Sequence, residues 1–161
     1  MKFCPQCASP LTSGLIDGQE RKLCSATACG FVVWDNPLPV VIALVSYQDQ
    51  ILLARNAQWP AGRYSFISGY LEKGEAPEQA VVREVKEELG LDAEVQGFIG
   101  HYAFLPKNQL LMAFDVTASG ELSLGDEIVA IKCLSRDELA AYPFAELALS
   151  ARIAGDWLAS R

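Results

Sequence analysis

Residues 69–91, GYLEKGEAPEQAVVREVKEELGL, decide the fold of this chain. Pro77 suits the first turn of a helix, where its missing N–H is not needed, and Gly90 suits the left-handed position at which helices end. Between them, apolar side chains recur every four positions, at Val81, Val85 and Leu89. This spacing places the three on one face. The sequence therefore predicts a helix over residues 77–90 with one buried stripe.

Three carboxylates fall together on an adjacent face of this predicted helix: Glu84, Glu87 and Glu88. Like charges three or four residues apart destabilise a helix by a few tenths of a kcal/mol per pair. Two interpretations follow from the residues alone. The face is either well solvated, or it binds a cation.

The residues around the carboxylates follow a fixed pattern, G-x5-E-x7-R-E-U-x-E-E-x-G-U, in which U is apolar. Its positions are Gly69, Glu75, Arg83, Glu84, Val85, Glu87, Glu88, Gly90 and Leu91. This pattern resembles the Nudix box, and every specified position is met. The resemblance implies a hydrolase acting on phosphoric anhydrides. It also implies an α/β/α sandwich with a mixed sheet, which agrees with the α/β or α+β order of the predicted elements.

The resemblance also implies roles for the residues of the box. Glu84 and Glu88 are expected to bind Mg²⁺ or Mn²⁺ directly, and Glu87 to share the metals or act as a base. Arg83 is expected to pair with a carboxylate and orient it. Glu75 is expected to tie the loop to the helix without binding metal directly.

Further site residues lie outside the helix. Glu127 matches an additional metal-binding glutamate of the NADH pyrophosphatase group, and Asp126 beside it is the rival candidate. Tyr70 matches an aromatic position that stacks on a base in that group. Gly69 and Gly74 are expected to let the loop bend and approach the phosphates, and Trp59 either fills the core or covers a flat ring.

Composition limits the possible classes of protein. The chain has 161 residues, of which 51% are hydrophobic and 20% charged, so it is globular. Its net charge of −7 disfavours nucleic acid as a partner. No apolar run is long enough to span a membrane, and the N-terminus lacks the apolar core of a signal peptide, so a cytoplasmic location is expected.

Four cysteines cluster near the N-terminus: Cys4, Cys7, Cys24 and Cys29. In a reducing compartment such a group is typical of structural zinc ligands, although incidental free thiols are the alternative. The wider spacing between Cys24 and Cys29 departs from the usual ribbon. We predict a zinc ribbon over residues 1–35 and a Nudix domain over residues 36–161. This order is similar to the NADH pyrophosphatase-like and ADP-ribose pyrophosphatase-like branch of the family.

Hydrophobic runs and turn residues predict the remaining elements. Strands are expected over residues 40–47, 51–55, 64–68, 95–104, 110–116 and 128–134, after a stiff linker at 36–39. Ser135 and Glu138 form a capping box that opens one helix, and Pro143 is expected to start the last helix, running toward Trp157. Cys133 is expected to be a small core residue.

These observations favour a metal-dependent pyrophosphohydrolase that cleaves the diphosphate bond of NAD(H), ADP-ribose or an FAD-like dinucleotide. The stretch HYAFLPKN at residues 101–108 keeps only Phe104 and Pro106 of the NADH-specific array, so the nucleotide is left open. The alternative is a non-catalytic ligand sensor or interaction module with the same fold. The resemblance also favours a homodimer.

Overall fold

A computed structural model describes residues 1–144 and 147–160. The chain forms two compact units, Met1–Asn36 and Pro37–Arg161. Within the described ranges, every helix is too short or too polar to cross a membrane.

The first unit is a small antiparallel sheet of three strands: β1 (Leu11–Ile16), β2 (Gln19–Cys24) and β3 (Val32–Val33). A two-residue turn joins β1 to β2, with Asp17 at φ 49° and Gly18 at φ 78°. An Asp-Gly pair tolerates positive φ at both positions, which the tight hairpin turns require. Arg21 stacks on the ring of Trp34, 5.0 Å from its centroid, and donates a hydrogen bond to the Trp34 carbonyl oxygen.

The second unit is built on a mixed sheet. Its strands are β4 (Leu38–Tyr47), β5 (Gln50–Asn56), β6 (Ile67–Tyr70), β7 (Asp92–Phe104), β8 (Gln109–Ser119) and β9 (Ile128–Leu134). The described strands lie in the order β7-β8-β4-β5-β9, and β6 pairs with β4 beside β5. The β4–β8 pair is parallel, whereas the other pairs are antiparallel.

The described part of this unit also contains three α-helices: α1 (Pro77–Leu89), α2 (Arg136–Ala140) and α3 (Ala148–Ala159). A single 3₁₀ turn, Leu105–Lys107, links β7 to β8 in the described part. Ser135 caps α2, since its hydroxyl accepts a hydrogen bond from the Glu138 N–H and the Glu138 carboxylate accepts one from the Ser135 N–H.

Alternate residues of β4 enter two separate cores. Val41, Ala43 and Val45 pack with α1 on one face of the sheet. Val40, Ile42 and Leu44 pack with α2 and α3 on the other face. Both faces are covered, and for this reason β4 is apolar at nearly every position. The expected α/β/α sandwich with a mixed sheet is confirmed.

Several predicted boundaries and one burial state differ from the structure. Leu38 and Pro39 belong to β4 and not to a linker, because they pair with Gln109 and Leu110 of β8. The last helix begins at Ala148, five residues after the predicted start at Pro143. Pro143 lies outside any helix, and residues 145 and 146 of the predicted helix lie outside the described residues.

Cys133 is exposed, so its assignment to the core is wrong. It lies on β9, at the end of the strand order, where β5 is its one paired neighbour among the described strands. An edge strand buries fewer of its side chains than a central one, and Lys132 and Cys133 are both exposed on β9.

Candidate active site

The helix α1 carries the carboxylates on a firmly held support. It begins at Pro77 and ends at Leu89, and Gly90 follows in the left-handed conformation with φ 70°. The predicted stripe is confirmed, since Val81, Val85 and Leu89 are fully buried. Burial of each such side chain stabilises a protein by roughly 1.5–3 kcal/mol. The helix is therefore fixed on the sheet through one face, and Glu84 and Glu88 lie beside that face, next to the sheet.

Glu84 is held against β6. Its side chain is only 12% exposed, and its carboxylate occupies the space that a Cβ atom would need at Gly69. Gly69 is thus required for space, and its backbone is not in the left-handed region. The loop itself bends at Gly74, where φ is 92°. The predicted bend of the loop is therefore found at Gly74, whereas Gly69 leaves space for the Glu84 carboxylate to pack against β6.

Arg83 lies at the centre of a network of carboxylates. Its guanidinium donates to both oxygens of Glu75, at 3.2 and 2.8 Å. It also donates to Glu84 Oε1 at 2.7 Å, to Glu87 Oε2 at 3.1 Å and to the carbonyl oxygen of Tyr70 at 3.1 Å. The hydrogen bonds from Arg83 lower the pKa of Glu75. Arg83 therefore joins the loop that starts at Tyr70 to the helix.

Glu88 lies in a cleft whose lining does not include Arg83 or its partners. The cleft is lined by Ala54, Asn56, Trp59, Phe66, Ser68, Glu88, Glu127 and Ile128. Glu127 shares this cleft with Glu88, whereas Asp126 is exposed outside its lining. The structure thus brings Glu127, and not its rival, to the box glutamates.

The electrostatics of the cleft are strongly unfavourable to a negative charge. Burial, followed by the charges of Glu84, Glu127 and Glu87 in that order, raises the pKa of Glu88 to about 8. Burial also raises the pKa of Glu84, although the neighbouring Arg83 opposes this effect. A group of carboxylates that resists ionisation in this way has the chemistry of a cation site.

Glu87 is more exposed than its neighbours, with 58% of its side chain accessible. Arg83 contacts one oxygen of Glu84 and one of Glu87. The glutamates converge less closely than the N-terminal cysteines do, because Glu84 and Glu87 both turn toward Arg83.

Of the two aromatic residues predicted to contact the substrate, Trp59 lines the cleft and Tyr70 does not. Tyr70 is 54% exposed at the end of β6, and its hydroxyl accepts a hydrogen bond from Gln109 Nε2 at 2.9 Å. Trp59 is half-buried and lines the cleft, and the guanidinium of Arg63 lies 5.8 Å from its ring centroid. Neither described core cluster includes Trp59, so the core-filling interpretation is not supported.

Sequence reasoning missed two polar residues of the cleft, Asn56 and Ser68. Asn56 ends β5, where a β-bulge shifts the register between Arg55 and Asn56, and its Nδ2 donates to Glu127 Oε2 at 3.2 Å. Ser68 precedes Gly69 in β6. An Asn at the end of an apolar strand was the available signal for the first, and no local pattern distinguishes Ser68.

The four N-terminal cysteines meet in the first unit. Their sulfur atoms all lie within 4.8 Å of one another, with 3.7 Å between Cys4 and Cys29 and 3.3 Å between Cys7 and Cys24. A tetrahedral zinc ion with bonds of about 2.3 Å holds its sulfurs about 3.8 Å apart. The arrangement fits a zinc ribbon, and Cys29 joins the cluster despite its wider spacing. Hydrogen bonds from Ser9 lower the pKa of Cys7 to about 6, which favours the thiolate.

Known proteins are similar to this chain in sequence. The NAD-capped RNA hydrolase NudC of Stutzerimonas stutzeri (strain A1501) is 34% identical over 144 residues, which cover 88% of this chain and 51% of that protein. The NudC of Vibrio atlanticus (strain LGP32) is 35% identical over 114 residues, covering 71% and 41%. The chain thus spans about half the length of the curated relatives it matches.

Solved structures agree with the fold. A NUDIX hydrolase from Nitrosomonas europaea superposes with a TM-score of 0.85 at 21% identity, covering 100% of this chain and 92% of that one. An ADP-ribose pyrophosphatase from Streptococcus suis 89-1591 has a TM-score of 0.59 at 27% identity, covering 78% and 93%. The family model of the NUDIX domain matches residues 36–155. The chain belongs to the NUDIX family.

Proposed function

We propose that the chain hydrolyses the diphosphate bond of a nucleoside diphosphate linked to a second moiety, with Mg²⁺ or Mn²⁺ as cofactor. The observation that carries this proposal is the position of Glu127 in the same cleft as Glu88, next to Glu84 on α1. Carboxylates from two separate parts of the chain supply the oxygen ligands that these cations prefer.

The residues present fit a divalent cation. Glu84, Glu88 and Glu127 would hold it, and Glu87 either shares it or accepts a proton. A bound cation screens the phosphates, acidifies a water molecule and stabilises the leaving oxygen. The raised pKa of Glu88 supports this assignment, because a positive charge in the cleft would allow the carboxylates to ionise together.

The remaining residues position the reactants. Arg83 holds Glu84 and Glu87 in fixed rotamers, and Glu75 holds Arg83 in turn. Such positioning keeps the reacting groups in the arrangement that the displacement at phosphorus needs. The exposed ring of Tyr70 provides a surface on which a base can stack, and Trp59 covers the cleft from the side of β5.

The substrate class follows from the relatives and from the aromatic groups. The named relatives act on NAD-capped RNA, so NAD(H), ADP-ribose, FAD-like dinucleotides and an NAD-capped RNA end are the candidates. The acidic composition argued against nucleic acid. A capped 5′ end presents the same diphosphate as free NAD, however, and RNA is therefore retained among the substrates to be tested.

We assign a structural zinc ion to Cys4, Cys7, Cys24 and Cys29, in a ribbon over residues 1–35 ahead of a Nudix domain at 36–161. Four thiolates complete a tetrahedral site, so this ion would have no position open to substrate. A cytoplasmic location and a homodimer stay predictions. Light scattering of the protein as it elutes from a size-exclusion column would test the homodimer.

The proposal is tested by incubating the purified chain with NADH, ADP-ribose, FAD and a short NAD-capped RNA, each with Mg²⁺, with Mn²⁺ or with EDTA. We expect cation-dependent release of two monophosphate products from at least one compound. Glu88→Gln is the matched inactive control. Tight binding of a compound without any cleavage under either cation would instead support the sensor.

A further inference from the structure

Glu127 is an exposed residue on the connection between β8 and β9, yet its carboxylate has a defined place. Asn56 donates to Glu127 Oε2 from its Nδ2 at 3.2 Å. The other end of the Asn56 amide is occupied as well, since Oδ1 accepts a hydrogen bond from the N–H of Gln58 at 2.9 Å. The amide is thus fixed in one orientation, with its donor directed at the carboxylate.

The backbone at Glu127 is fixed from the same side. Its carbonyl oxygen accepts a hydrogen bond from the Ala57 N–H at 2.8 Å. The β-bulge between Arg55 and Asn56 allows both contacts, because it shifts the register so that Asn56 pairs with Ile128. A bulge of this kind redirects side chains at the end of a strand.

The segment before Glu127 docks on the last turn of α1. The N–H of Ser123 donates to the Leu89 carbonyl oxygen at 2.9 Å, and the N–H of Gly125 donates to that of Glu88 at 2.9 Å. These carbonyls at the C-terminal end of α1 have no partner within the helix and need one outside it. The connection therefore supplies the partners and is itself held in place.

Gly125 permits this docking through its lack of a side chain. A Cβ atom at this position would overlap the carbonyl oxygen of Glu87, and Glu88 Cα would lie at 3.5 Å. The φ angle of Gly125 is outside the left-handed region, so the constraint is space alone. A side chain here would push the segment off the helix end and move Glu127 with it.

We propose that Asn56 and Gly125 are positioning residues for Glu127, and that together they fix its carboxylate opposite Glu88 before a cation binds. The inference rests on the proposed function, because it assigns Glu127 to the cation site. Its physical basis is preorganisation. A free glutamate on a loop must lose rotamer and backbone entropy on binding a metal, whereas one already held by Asn56 loses less.

The test is Mn²⁺ binding without substrate, followed through the electron paramagnetic resonance signal of free Mn²⁺. Partners that hold a metal ligand typically change metal affinity by about 10–100-fold when they are removed. We expect Asn56→Ala and Gly125→Ala to weaken Mn²⁺ binding by about tenfold. Gln96→Ala, which removes a surface amide on β7, and Gly97→Ala, where a Cβ meets nothing within 4 Å, should leave it unchanged.

A double-variant comparison separates positioning from general damage. In the Glu127→Ala background, Asn56→Ala should cause no further loss, since the carboxylate that it positions is gone. An equal loss with and without Glu127 would overturn the inference, and so would wild-type affinity in Asn56→Ala. If Gly125→Ala does not fold, Asn56→Ala still decides, because Asn56 lies at the end of a strand and its amide contacts only the connection and Gln58 in the described hydrogen bonds.

Failure of the proposed function gives a different result. A wild-type chain that cleaves no nucleotide, but binds Mn²⁺ about tenfold more tightly than Asn56→Ala does, would contradict the hydrolase and support the positioning roles. A wild-type chain that cleaves NADH while Asn56→Ala keeps its full Mn²⁺ affinity would support the hydrolase and overturn the positioning roles.

Discussion

The carboxylate of Glu84 lies where a side chain at Gly69 would have to be. The two residues come from different elements, since Gly69 is in β6 and Glu84 is in the second turn of α1. The first glycine of the box and its first helical glutamate thus form one unit. The contact gives a steric reason for a glycine at position 69.

Gly69→Ala tests this contact. The new methyl group would displace the Glu84 carboxylate, and displacement of a catalytic group by about 1 Å can lower the rate by about 100-fold. We expect a loss of this order in kcat/KM for whichever nucleotide is cleaved. Gly97→Ala is the matched control, because its Cβ would meet nothing within 4 Å. Equal activities for the two variants would contradict the packing role of Gly69.

The pKa of Glu88 predicts how the stability of the metal-free protein depends on pH. Burial, together with the neighbouring carboxylates, raises this pKa from 4.5 to about 8, so between these values the folded chain binds more protons than the unfolded chain. The free energy of unfolding must therefore fall as the pH rises from about 4.5 to about 8. Thermal unfolding in EDTA at several pH values measures this decrease in the free energy of unfolding.

Two further observations follow from the same linkage. Mg²⁺ should raise the melting temperature more at the alkaline end of this range than at the acidic end, because it binds the ionised carboxylates. Glu88→Gln should flatten the pH dependence in EDTA and abolish turnover while the chain remains folded. A slope that persists in this variant would assign the titration to another group.

The cysteine cluster predicts a metal content. Replacement of Cys4 and Cys7 by Ser should release about one zinc ion per chain and destabilise the first unit, because four thiolates bind one ion. Elemental analysis and limited proteolysis would measure the two effects. Cys133→Ser is the control, since Cys133 is exposed on β9 and belongs to the other unit. Unchanged zinc in the double variant would exclude the thiols as ligands.

A stabilising substitution is available on α3. Gly155 lies inside this helix, is exposed, and a Cβ there would meet nothing within 4 Å. Replacing glycine by alanine at an open helical position stabilises a protein by about 0.5–1 kcal/mol. Gly155→Ala should therefore raise the unfolding free energy, measured in urea, without altering turnover. A decrease would mean that α3 packs more tightly at this point than the geometry shows.

The sequence was most informative where the determinants are local. The signals for α1 lie within a few turns of one another: Pro77, Gly90 and the buried stripe. The local sequence was therefore sufficient to locate the helix. The four N-terminal cysteines were also identifiable as zinc ligands, because clustered thiols in a reducing compartment typically bind a metal ion. The Asp17-Gly18 pair is an equally local signal for a hairpin turn. The strands β1 and β2 on either side of it could therefore have been predicted from the sequence.

What could not be predicted depends on contacts between distant parts of the chain. Leu38 and Pro39 are strand residues only because β8 lies beside them. Asn56 contacts Glu127, which lies 71 positions away in the chain, because of a β-bulge that no local sequence pattern predicts. The exposure of Cys133 follows from the place of β9 in the strand order, which hydrophobicity along the strand does not reveal.

The parallel alignment of β4 with β8 has a consequence for how the chain reaches its native state. Leu38 can pair with Gln109 only after the whole intervening chain, which includes α1, has been synthesised and brought together. Closing so large a loop is slow compared with forming a hairpin or a helix. We expect helical signal to develop ahead of tertiary signal when the unfolded chain is diluted from denaturant in a stopped-flow instrument, with the sheet as the slow step.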